Sequence, residues 1–247
     1  MAAPISEQRR TVLVASVEPL ARATSRVRLD LGRDRFDFLA GQYASLAFPG
    51  QQPRDFSIAS PPGLPYLDFH IRQMGEQTAA AYVQTGLRPG DAVQLAGPYG
   101  DCWWRREHLG SILCIGGGTG LAPMIAIVEA ALEQGHRGDI HLYAGFQDEP
   151  DIYYEDRFQV LRAAHPTLSV TYALSAAQGM TARRTGFIHQ VVAADFTNFA
   201  GCKAYLAGAP AMVEAAASML VARGLPRGDI HADPYFSEEE RQRLGLA

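Results

Sequence analysis

Arg54-Asp55-Phe56-Ser57-Ile58-Ala59-Ser60 is the stretch around which the rest of the chain is organised, and Pro61-Pro62-Gly63 after it must turn the chain. Alternate side chains of an extended segment point to opposite faces, so Arg54 and Phe56 share one side and Ser57 points from the other. A guanidinium, a flat ring and a small hydroxyl are the groups that can hold a phosphorylated planar ring. The stretch alone is equally compatible with an edge strand that carries a surface Arg and a buried Phe.

The composition predicts a soluble globular protein of two domains. The chain has 247 residues, which exceeds the usual domain size of roughly 100 to 150 residues. Its 47% hydrophobic and 19% charged residues argue against disorder, and its net charge of -4 without a basic run argues against nucleic acid as a partner. The N-terminus lacks a signal-peptide pattern, and no window approaches the roughly 20 apolar residues of a membrane span. We therefore expect a cytoplasmic protein.

The cysteines and histidines predict that the protein holds no metal. Cys102, Cys114 and Cys202 are widely separated, and three thiols cannot supply the four thiolates of an ordinary iron-sulfur or structural zinc site. An odd number of cysteines without a secretory signal fits reduced thiols. The seven histidines are scattered, and none pairs with another at helical or turn spacing.

The N-terminal part of the chain has the pattern of short strands separated by turns. Besides the opening stretch, alternating or β-rich runs occupy residues 11 to 17, 26 to 31, 43 to 48, 66 to 72 and 92 to 96. Short strands at this spacing predict a small antiparallel barrel. Residues 77 to 84 are rich in Ala and predict one short helix. Thr78 would lie where a helix N-terminus offers N–H groups to a pyrophosphate, although this stretch alone favours a residue that only caps the helix.

The pattern changes near residues 103 to 109, and strands then alternate with helices. An apolar run at residues 111 to 115 is typical of a buried parallel strand. Further strands are predicted at 139 to 145, 168 to 174, 203 to 207 and 230 to 232. One helix is predicted to end at residue 134, and further helices are predicted at 152 to 164, 187 to 192 and 211 to 223. This alternation predicts a doubly wound parallel sheet that binds ligands beyond the carboxyl ends of its strands.

Two of these strand ends carry glycine turns that open a helix. The first is Gly116-Gly117-Gly118-Thr119-Gly120-Leu121-Ala122-Pro123-Met124, and the second is Gly208-Ala209-Pro210-Ala211-Met212. A strand that leads into glycines and then a helix lets backbone N–H groups approach a diphosphate. The Rossmann fingerprint is not met, because its third glycine falls on Leu121. The first turn therefore predicts a dinucleotide or phosphate loop in preference to a tight structural turn.

The order of these motifs resembles the ferredoxin-NADP reductase superfamily. The sequence is most similar to its bacterial NAD(P)H-flavin reductases and to oxygenase reductase components that lack the ferredoxin domain. The resemblance implies an N-terminal six-stranded antiparallel β-barrel that binds flavin and a C-terminal α/β doubly wound parallel sheet that binds a nicotinamide dinucleotide. It places an FAD-binding domain at residues 1–106 and an NAD(P)-binding domain at residues 107–247.

The resemblance also implies roles for individual residues. Arg54 would bind a flavin phosphate, Phe56 would flank the flavin, and Ser57 would hydrogen-bond its N5 atom. An aromatic near the C-terminus would cover the flavin, and Tyr235 is the candidate, so Ser57 and Tyr235 are the predicted catalytic residues. The other predicted flavin-binding residues are Asp55, His70, Ile71, Arg72, Gly75, Gln77 and Thr78. The predicted nicotinamide-binding residues are Gly117, Gly118, Thr119, Gly120, Pro123, Gly208, Pro210 and Met212.

Two departures from the family pattern affect the predicted chemistry. Some relatives carry Cys before the second turn, where this chain has Ala207, so a thiol role there is excluded. Relatives that select NADPH often place Arg after the second or third strand, where this chain has Gln147 and Ser175-Ala176-Ala177. NADH is therefore the predicted coenzyme, although Arg183 or Arg184 could reach the site from the loop.

The implied reaction is hydride transfer from NADH to N5 of FAD, which is either bound or used as a substrate. The electrons would pass to a separate acceptor: an oxygenase component, a ferredoxin or free flavin. A non-catalytic regulatory or electron-transfer subunit that retains the fold is the alternative. A dehydrogenase that acts directly on a substrate lacks support, because no catalytic couple stands out. The choice between FAD and FMN, the acceptor and the oligomeric state stay open.

Overall fold

The computed structural model describes residues 5–73, 75 and 78–236. Two six-stranded sheets organise these residues. The first sheet contains β1 (Gln8–Ala21), β2 (Thr24–Asp30), β3 (Tyr43–Ala47), β4 (Arg54–Ser57), β5 (Tyr66–Arg72) and β6 (Ala92–Tyr99). Its strand order is β4-β3-β6-β1-β2-β5, and every neighbouring pair is antiparallel. The six antiparallel strands confirm the predicted fold of this half.

A short bridge brings the two edge strands of this sheet together. Ile58, directly after β4, forms an antiparallel bridge with Phe69 of β5, and the amide of Ala59 donates to the carbonyl of Asp68 at 2.7 Å. The sheet therefore closes into a barrel. The chain segments run antiparallel at this bridge. Arg54, at the start of β4, and Arg72, at the end of β5, therefore lie toward the same end of the barrel.

Strand β5 shows how the barrel presents residues to the rest of the molecule. Leu67, Phe69 and Ile71 point into the barrel core, as alternation along a strand requires. Asp68 and His70 occupy the opposite face of the same strand and are nevertheless buried, at 4% exposure each. The outer face of β5 is therefore a contact surface.

Helix α1 (Ala79–Thr85) follows β5 and begins two residues later than predicted. Thr78 is its N-cap: its backbone is extended, and its side-chain oxygen accepts a hydrogen bond from the amide of Ala81 at 3.1 Å. The first residue of the predicted helix, Gln77, lies outside the described residues.

The second sheet is entirely parallel. It contains β7 (Ile112–Gly117), β8 (Ile140–Phe146), β9 (Leu168–Leu174), β10 (Arg184–Thr185), β11 (Lys203–Gly208) and β12 (Ile230–Pro234), in the order β10-β9-β8-β7-β11-β12. Its helices are α2 (Leu121–Glu133), α3 (Glu155–Ala164), α4 (Ile188–Asp195) and α5 (Pro210–Ala222). Helices α2 and α3 pack on one face, and α4 and α5 pack on the other. The predicted doubly wound sheet is confirmed.

The strand order reverses beside β7, at the centre of the sheet. From β7 the chain moves outward through β8, β9 and β10, and then crosses to β11 on the other side of β7. Gly116 and Ala207 are paired where these two central strands end. Ligands of open α/β sheets bind at such a switch point, and both glycine turns lie there.

The structure departs from the predicted element bounds where short-range patterns carry little signal. Strand β1 extends well beyond the predicted residues 11 to 17, and it contains register shifts that interrupt simple alternation. Helix α3 starts at Glu155 because a 3-10 turn capped by Asp148 occupies residues 149–151. The two-residue β10 was not predicted.

The segment between the two sheets is hydrogen-bonded to both halves of the molecule. The amide of Trp104 donates to Ala40 in the barrel half at 2.9 Å, and the amide of Arg105 donates to the hydroxyl of Tyr205 on β11 at 2.9 Å. We propose that the domain boundary lies in this segment, between residues 106 and 107. Within the described ranges, no helix has both the length and the apolar character needed to cross a bilayer.

Candidate active site

Ser57 joins the barrel to the C-terminal end of the parallel sheet. It is the last residue of β4, and its side-chain oxygen lies 2.7 Å from the hydroxyl oxygen of Tyr235. The same oxygen lies 3.4 Å from Oδ2 of Asp233. We call these three residues the hydroxyl contact. Tyr235 is held in place by its amide, which donates to the carbonyl of Gly208 in the second glycine turn at 2.8 Å.

Electrostatics fix the direction of the hydrogen bonds in the hydroxyl contact. Burial, reinforced by the carboxylate of Asp233, raises the pKa of the Tyr235 phenol well above its ordinary value, so the phenol stays protonated at neutral pH. An ionised carboxylate only accepts, so Ser57 donates its single proton to Asp233 and accepts from Tyr235. Asp233 was not predicted to be a site residue, since nothing in the local sequence places it beside Ser57.

The side chains of β4 become less exposed from Arg54 to Ser57. Arg54 and Asp55 are exposed, Phe56 is half-buried, and Ser57 is buried. The ring of Phe56 packs against the ring of Phe48 at 6.0 Å between centroids. The guanidinium of Arg54 donates to the carbonyl of Pro53 at 3.2 Å. The motif therefore runs from a surface cation to a buried hydroxyl.

His70 forms a second contact between the two sheets, this time from the middle of β5. Its Nδ1 lies 3.3 Å from the hydroxyl of Tyr153, and its Nε2 lies 3.2 Å from the hydroxyl of Tyr154. The Tyr153 hydroxyl also donates to the carbonyl of Gly118, in the first glycine turn, at 3.2 Å. We call these four residues the imidazole contact. The side chain of His70, a predicted flavin-binding residue, is thus engaged with the C-terminal half.

The imidazole contact has one consistent arrangement of protons. A carbonyl only accepts, so Tyr153 uses its proton on Gly118 and must accept from Nδ1–H of His70. Nε2 then accepts from Tyr154. This arrangement requires a neutral ring, and burial, with smaller contributions from Arg157 and Arg26, lowers the pKa of His70 to about 3.

Tyr153 and Tyr154 were not singled out from the sequence. They fall in the stretch that the pattern predicted to be helical, where neighbouring side chains point about 100° apart. In the structure Tyr154 instead adopts a left-handed backbone with φ of 65°, just before α3. This conformation is uncommon for a residue other than Gly, and no local sequence signal indicates it. It places both hydroxyls on the same imidazole.

The two glycine turns are in direct backbone contact. A Cβ at Gly120 would lie 2.1 Å from the carbonyl oxygen of Ala207, and a Cβ at Gly208 would lie 3.0 Å from that of Gly117. Met212, in the first turn of α5, covers Gly117 so closely that a Cβ there would lie 2.5 Å from its sulfur. The structure thus brings together the predicted dinucleotide-binding residues of both turns.

The remaining residues of the first turn lead directly into α2. Gly118 has φ of +56° and starts a 3-10 turn that also contains Thr119, and Leu121 begins the helix. Pro123 lies in the first helical turn, where its missing N–H has no intrahelical partner to lose. The amides at this helix N-terminus suit an anionic diphosphate.

Three further predicted flavin-binding residues lie near the end of β5. The side chain of Ile71 points into the barrel core, so only its backbone is available to a ligand. Arg72 reaches the first glycine turn: its Nη1 lies 3.8 Å from where a Cβ of Gly118 would be. Gly75, with φ of +80°, lies next to Thr78.

Comparisons with known proteins agree with this arrangement. The oxidoreductase NAD-binding domain model matches residues 114–218. The ferredoxin-NAD(P)+ reductase component of the naphthalene 1,2-dioxygenase/salicylate 5-hydroxylase systems of Ralstonia sp. is 40% identical over 90% of this chain and 68% of its own length. The chain belongs to the ferredoxin-NADP reductase family.

Other members of the ferredoxin-NADP reductase family show the same relation. The reductase component of propane 2-monooxygenase from Mycolicibacterium goodii is 31% identical over 95% of this chain and 69% of its own length. The crystal structure of the Amycolatopsis cytochrome P450 reductase GcoB superposes with a TM-score of 0.86 at 32% identity, covering 94% of this chain and 71% of that chain. The resemblance read from the motifs is confirmed, and the protein is an oxidoreductase.

Reductases of this family bind FAD and NAD(P)H, and the residues present fit both groups. Arg54, Arg72 and the N-terminus of α1 offer cationic and N–H groups toward one end of β4 and β5, as a diphosphate requires. The hydroxyls of Ser57 and Tyr235 offer polar groups to a ring. The two glycine turns offer backbone N–H groups, and Met212 and Arg72 lie beside Gly117 and Gly118.

Other contacts engage Arg183, Arg184 and Cys102. Arg183 is ion-paired with Glu155, and Arg184 donates to both carboxylate oxygens of Asp195 at 2.8 and 3.1 Å. Burial raises the pKa of Cys102, which keeps this thiol protonated, and Cys102 points at the carbonyl of His231 at 3.3 Å. Among the described residues, no three His, Cys, Asp or Glu side chains group together as metal ligands.

Proposed function

We propose that this ferredoxin-NADP reductase family member oxidises NADH, reduces bound FAD, and delivers the electrons to a separate acceptor. The hydroxyl contact carries the proposal, because it places a barrel hydroxyl 2.7 Å from a C-terminal aromatic at the switch point of the parallel sheet. A flavin held by the barrel and a nicotinamide held by the parallel sheet must meet at the interface between the two. When bound, FAD supplies the ring whose N5 accepts the hydride that NADH donates.

The proposed flavin site runs along β4 and the end of β5. Arg54 and Arg72 bind the phosphates together with the N–H groups that Thr78 leaves at the start of α1, while Phe56 packs beside the ring system. In the flavin complex Ser57 donates its proton to N5 in place of Asp233, and Tyr235 covers the ring. The backbones of His70, Ile71 and Gly75 follow the nucleotide, with Asp55 beside it.

The proposed dinucleotide site is the pair of glycine turns. The N-terminus of α2 binds the diphosphate through amides of Gly117, Gly118, Thr119 and Gly120, and Pro123 lies in the first turn of the helix that follows. Gly208, Pro210 and Met212 hold the nicotinamide end. No acid or base is needed for hydride transfer, so these residues contribute by alignment and by excluding water.

The proposed coenzyme preference is for NADH. The extra phosphate of NADPH is a dianion and needs a free guanidinium or ammonium group. Arg183 and Arg184, the two arginines that could reach the site, are each neutralised by a carboxylate of the same half. Asp148 directly follows Gln147, and hydrogen bonds from two backbone amides lower the pKa of its carboxyl, which keeps it negative.

The proposed acceptor is an oxygenase component or a ferredoxin, as the names of the relatives indicate for those proteins. Free flavin that leaves in reduced form is the competing route. We propose that the enzyme works in the cytoplasm, since its three cysteines are free thiols.

One preparation tests these proposals. The protein is purified in air, passed through gel filtration and examined for flavin absorbance, and is then mixed with NADH or NADPH in a stopped-flow instrument. We expect FAD to remain bound and NADH to reduce it faster than NADPH does. Loss of flavin on the column, with NADH oxidation that depends on added flavin, would favour the free-flavin route. Absence of reduction by either coenzyme would identify a non-catalytic subunit.

A further inference from the structure

The imidazole contact connects the barrel to the first glycine turn through side chains that bind neither nucleotide in the proposed function. His70 lies in the middle of β5, where its backbone is paired with Arg26 of β2, and its side chain is only 4% exposed. Its position is therefore fixed by the barrel. From it, one hydrogen bond leads to Tyr153 and a second leads to the carbonyl of Gly118.

Tyr153 is also fixed by its ring. The ring is 4% exposed and packs against the rings of His70 at 5.2 Å, Phe146 at 5.5 Å and Tyr154 at 5.3 Å between centroids. Its hydroxyl is the one group that the ring directs at the glycine turn. Burial raises the pKa of this phenol well above its ordinary value, so the hydroxyl remains a donor.

Gly118 is the residue of the turn whose position matters most for this contact. Its φ of +56° is a conformation that Gly adopts freely, and its carbonyl also accepts a hydrogen bond from the amide of Leu121. Its carbonyl receives the Tyr153 hydroxyl, while Arg72 lies near its Cα. The Leu121 amide ties Gly118 to α2, and the Tyr153 hydroxyl ties it through His70 to the barrel.

We propose that Tyr153 is a positioning residue, which uses the barrel residue His70 as its anchor to hold the dinucleotide-binding turn in register with the flavin-binding barrel. This inference rests on the proposed function. The hydrogen bond from Tyr153 to Gly118 sets where the turn lies, and the bond from His70 sets which way the Tyr153 proton points. Small errors of register slow a reaction that depends on close approach of two rings.

The test is Tyr153→Phe in the full chain with its flavin bound. The substitution removes the hydroxyl and keeps the packed ring, so folding is retained. Calorimetric titration with NAD+ should give a dissociation constant raised about five- to tenfold, the range for one lost hydrogen bond. Stopped-flow reduction by NADH should show a limiting rate about tenfold lower, with the flavin spectrum and flavin content unchanged. Amide hydrogen exchange in a peptide that covers residues 116–122 should be faster.

Tyr154→Phe is the matched control. It removes a hydroxyl from the neighbouring residue and from the same imidazole, but Tyr154 has no hydrogen bond to Gly118. We expect a less than twofold change in both NAD+ affinity and limiting rate. Equal losses in the two variants would overturn the proposal, because they would assign the effect to His70 packing alone.

Failure of this inference is distinguishable from failure of the proposed function. If the unmodified protein is not reduced by NADH, the proposed function fails. If it is reduced, and Tyr153→Phe matches it in NAD+ affinity, limiting rate and hydrogen exchange, only the positioning role is overturned. Loss of flavin from Tyr153→Phe would also overturn it, since the residue would then act on the barrel site.

Discussion

The hydroxyl contact and the imidazole contact both join the barrel to the switch point of the parallel sheet, yet they differ in burial and in chain position. Ser57 ends a strand, and Tyr235 follows the last strand and is half-buried. His70 and Tyr153 are each 4% exposed, and His70 lies in mid-strand. Side chains at strand ends can rearrange around a ligand, whereas the packed side chains of His70 and Tyr153 cannot.

The difference indicates that the two contacts have different roles at the interface between the halves. The hydroxyl contact presents groups that a ring can meet, and the imidazole contact keeps the two halves in register. Both contacts depend on the pair of glycine turns, since Tyr235 is bonded to Gly208 and Tyr153 is bonded to Gly118. Variants that act on both contacts, on one, or on a single hydrogen bond can therefore separate them.

The largest expected effect is that of Gly120→Ala, which should break both contacts at once. The new Cβ would lie 2.1 Å from the carbonyl oxygen of Ala207, so one of the two turns must move. We expect the free energy of unfolding to fall by about 3 kcal/mol, as overpacking against backbone does. Urea unfolding followed by circular dichroism measures this change.

Gly228→Ala is the control for this prediction. Gly228 lies in a 3-10 turn of residues 227–229, and a Cβ there would meet nothing within 4 Å. Its stability should stay within about 0.5 kcal/mol of the unmodified protein. A Gly120→Ala protein as stable as the control would show that the two turns are not locked together.

The second prediction uses the pH dependence of stability to distinguish the imidazole contact from the hydroxyl contact. The pKa of His70 is about 3 in the folded protein and near the ordinary 6.5 when unfolded, so the unfolded state binds more protons between these values. Stability from the neutral ring is complete above pH 6.5 and is lost as pH falls. We expect unfolding free energy to drop by about 2 kcal/mol more in the unmodified protein than in His70→Asn between pH 7 and pH 5.

Tyr235→Phe tests whether this pH dependence belongs to the imidazole contact. The raised pKa of Tyr235 keeps its phenol from titrating in this range, so the variant should show the pH dependence of the unmodified protein. Urea unfolding at pH 5, 6 and 7 provides the comparison. An unchanged slope in His70→Asn would mean that the folded protein accepts a proton on this ring.

Both sheets could be predicted from the sequence because their signals are local. Alternation predicts strands such as β5, and a continuous apolar run predicts β7. The motif ending at Ser57 and the turn at Gly117 could be found for the same reason, since each is a short run of residues with a fixed chemical requirement. Their roles in binding stay predictions.

Contacts between distant segments could not be predicted in this way. Ser57 meets Asp233 across 176 positions, and His70 meets Tyr153 across 83 positions. No pattern within either segment encodes the partner. The left-handed backbone of Tyr154 is a further case, because packing of the two halves stabilises a conformation that its own sequence does not favour.

The third effect concerns the hydroxyl contact alone. Ser57→Ala should lower the rate of flavin reduction by NADH about three- to tenfold while FAD stays bound, because one hydrogen bond to the ring is lost. Single-turnover stopped-flow measurement gives the rate. Ser60→Ala is the control: Ser60 is also a buried barrel hydroxyl, but its oxygen accepts from the amide of Asp68. Equal rates in Ser57→Ala and the unmodified protein would remove Ser57 from the mechanism.

The smallest expected effect is that of Tyr235→Phe on the same rate, and it decides whether the hydroxyl contact acts as a unit. The ring is kept, so the loss should be less than about threefold if its hydroxyl acts only through Ser57. In that case Tyr235→Phe should have no further effect once Ser57 is Ala, because the partner of the 2.7 Å hydrogen bond is already gone. Additive losses in the double variant would instead mean that the Tyr235 hydroxyl acts independently, and the contact would be two separate groups rather than one.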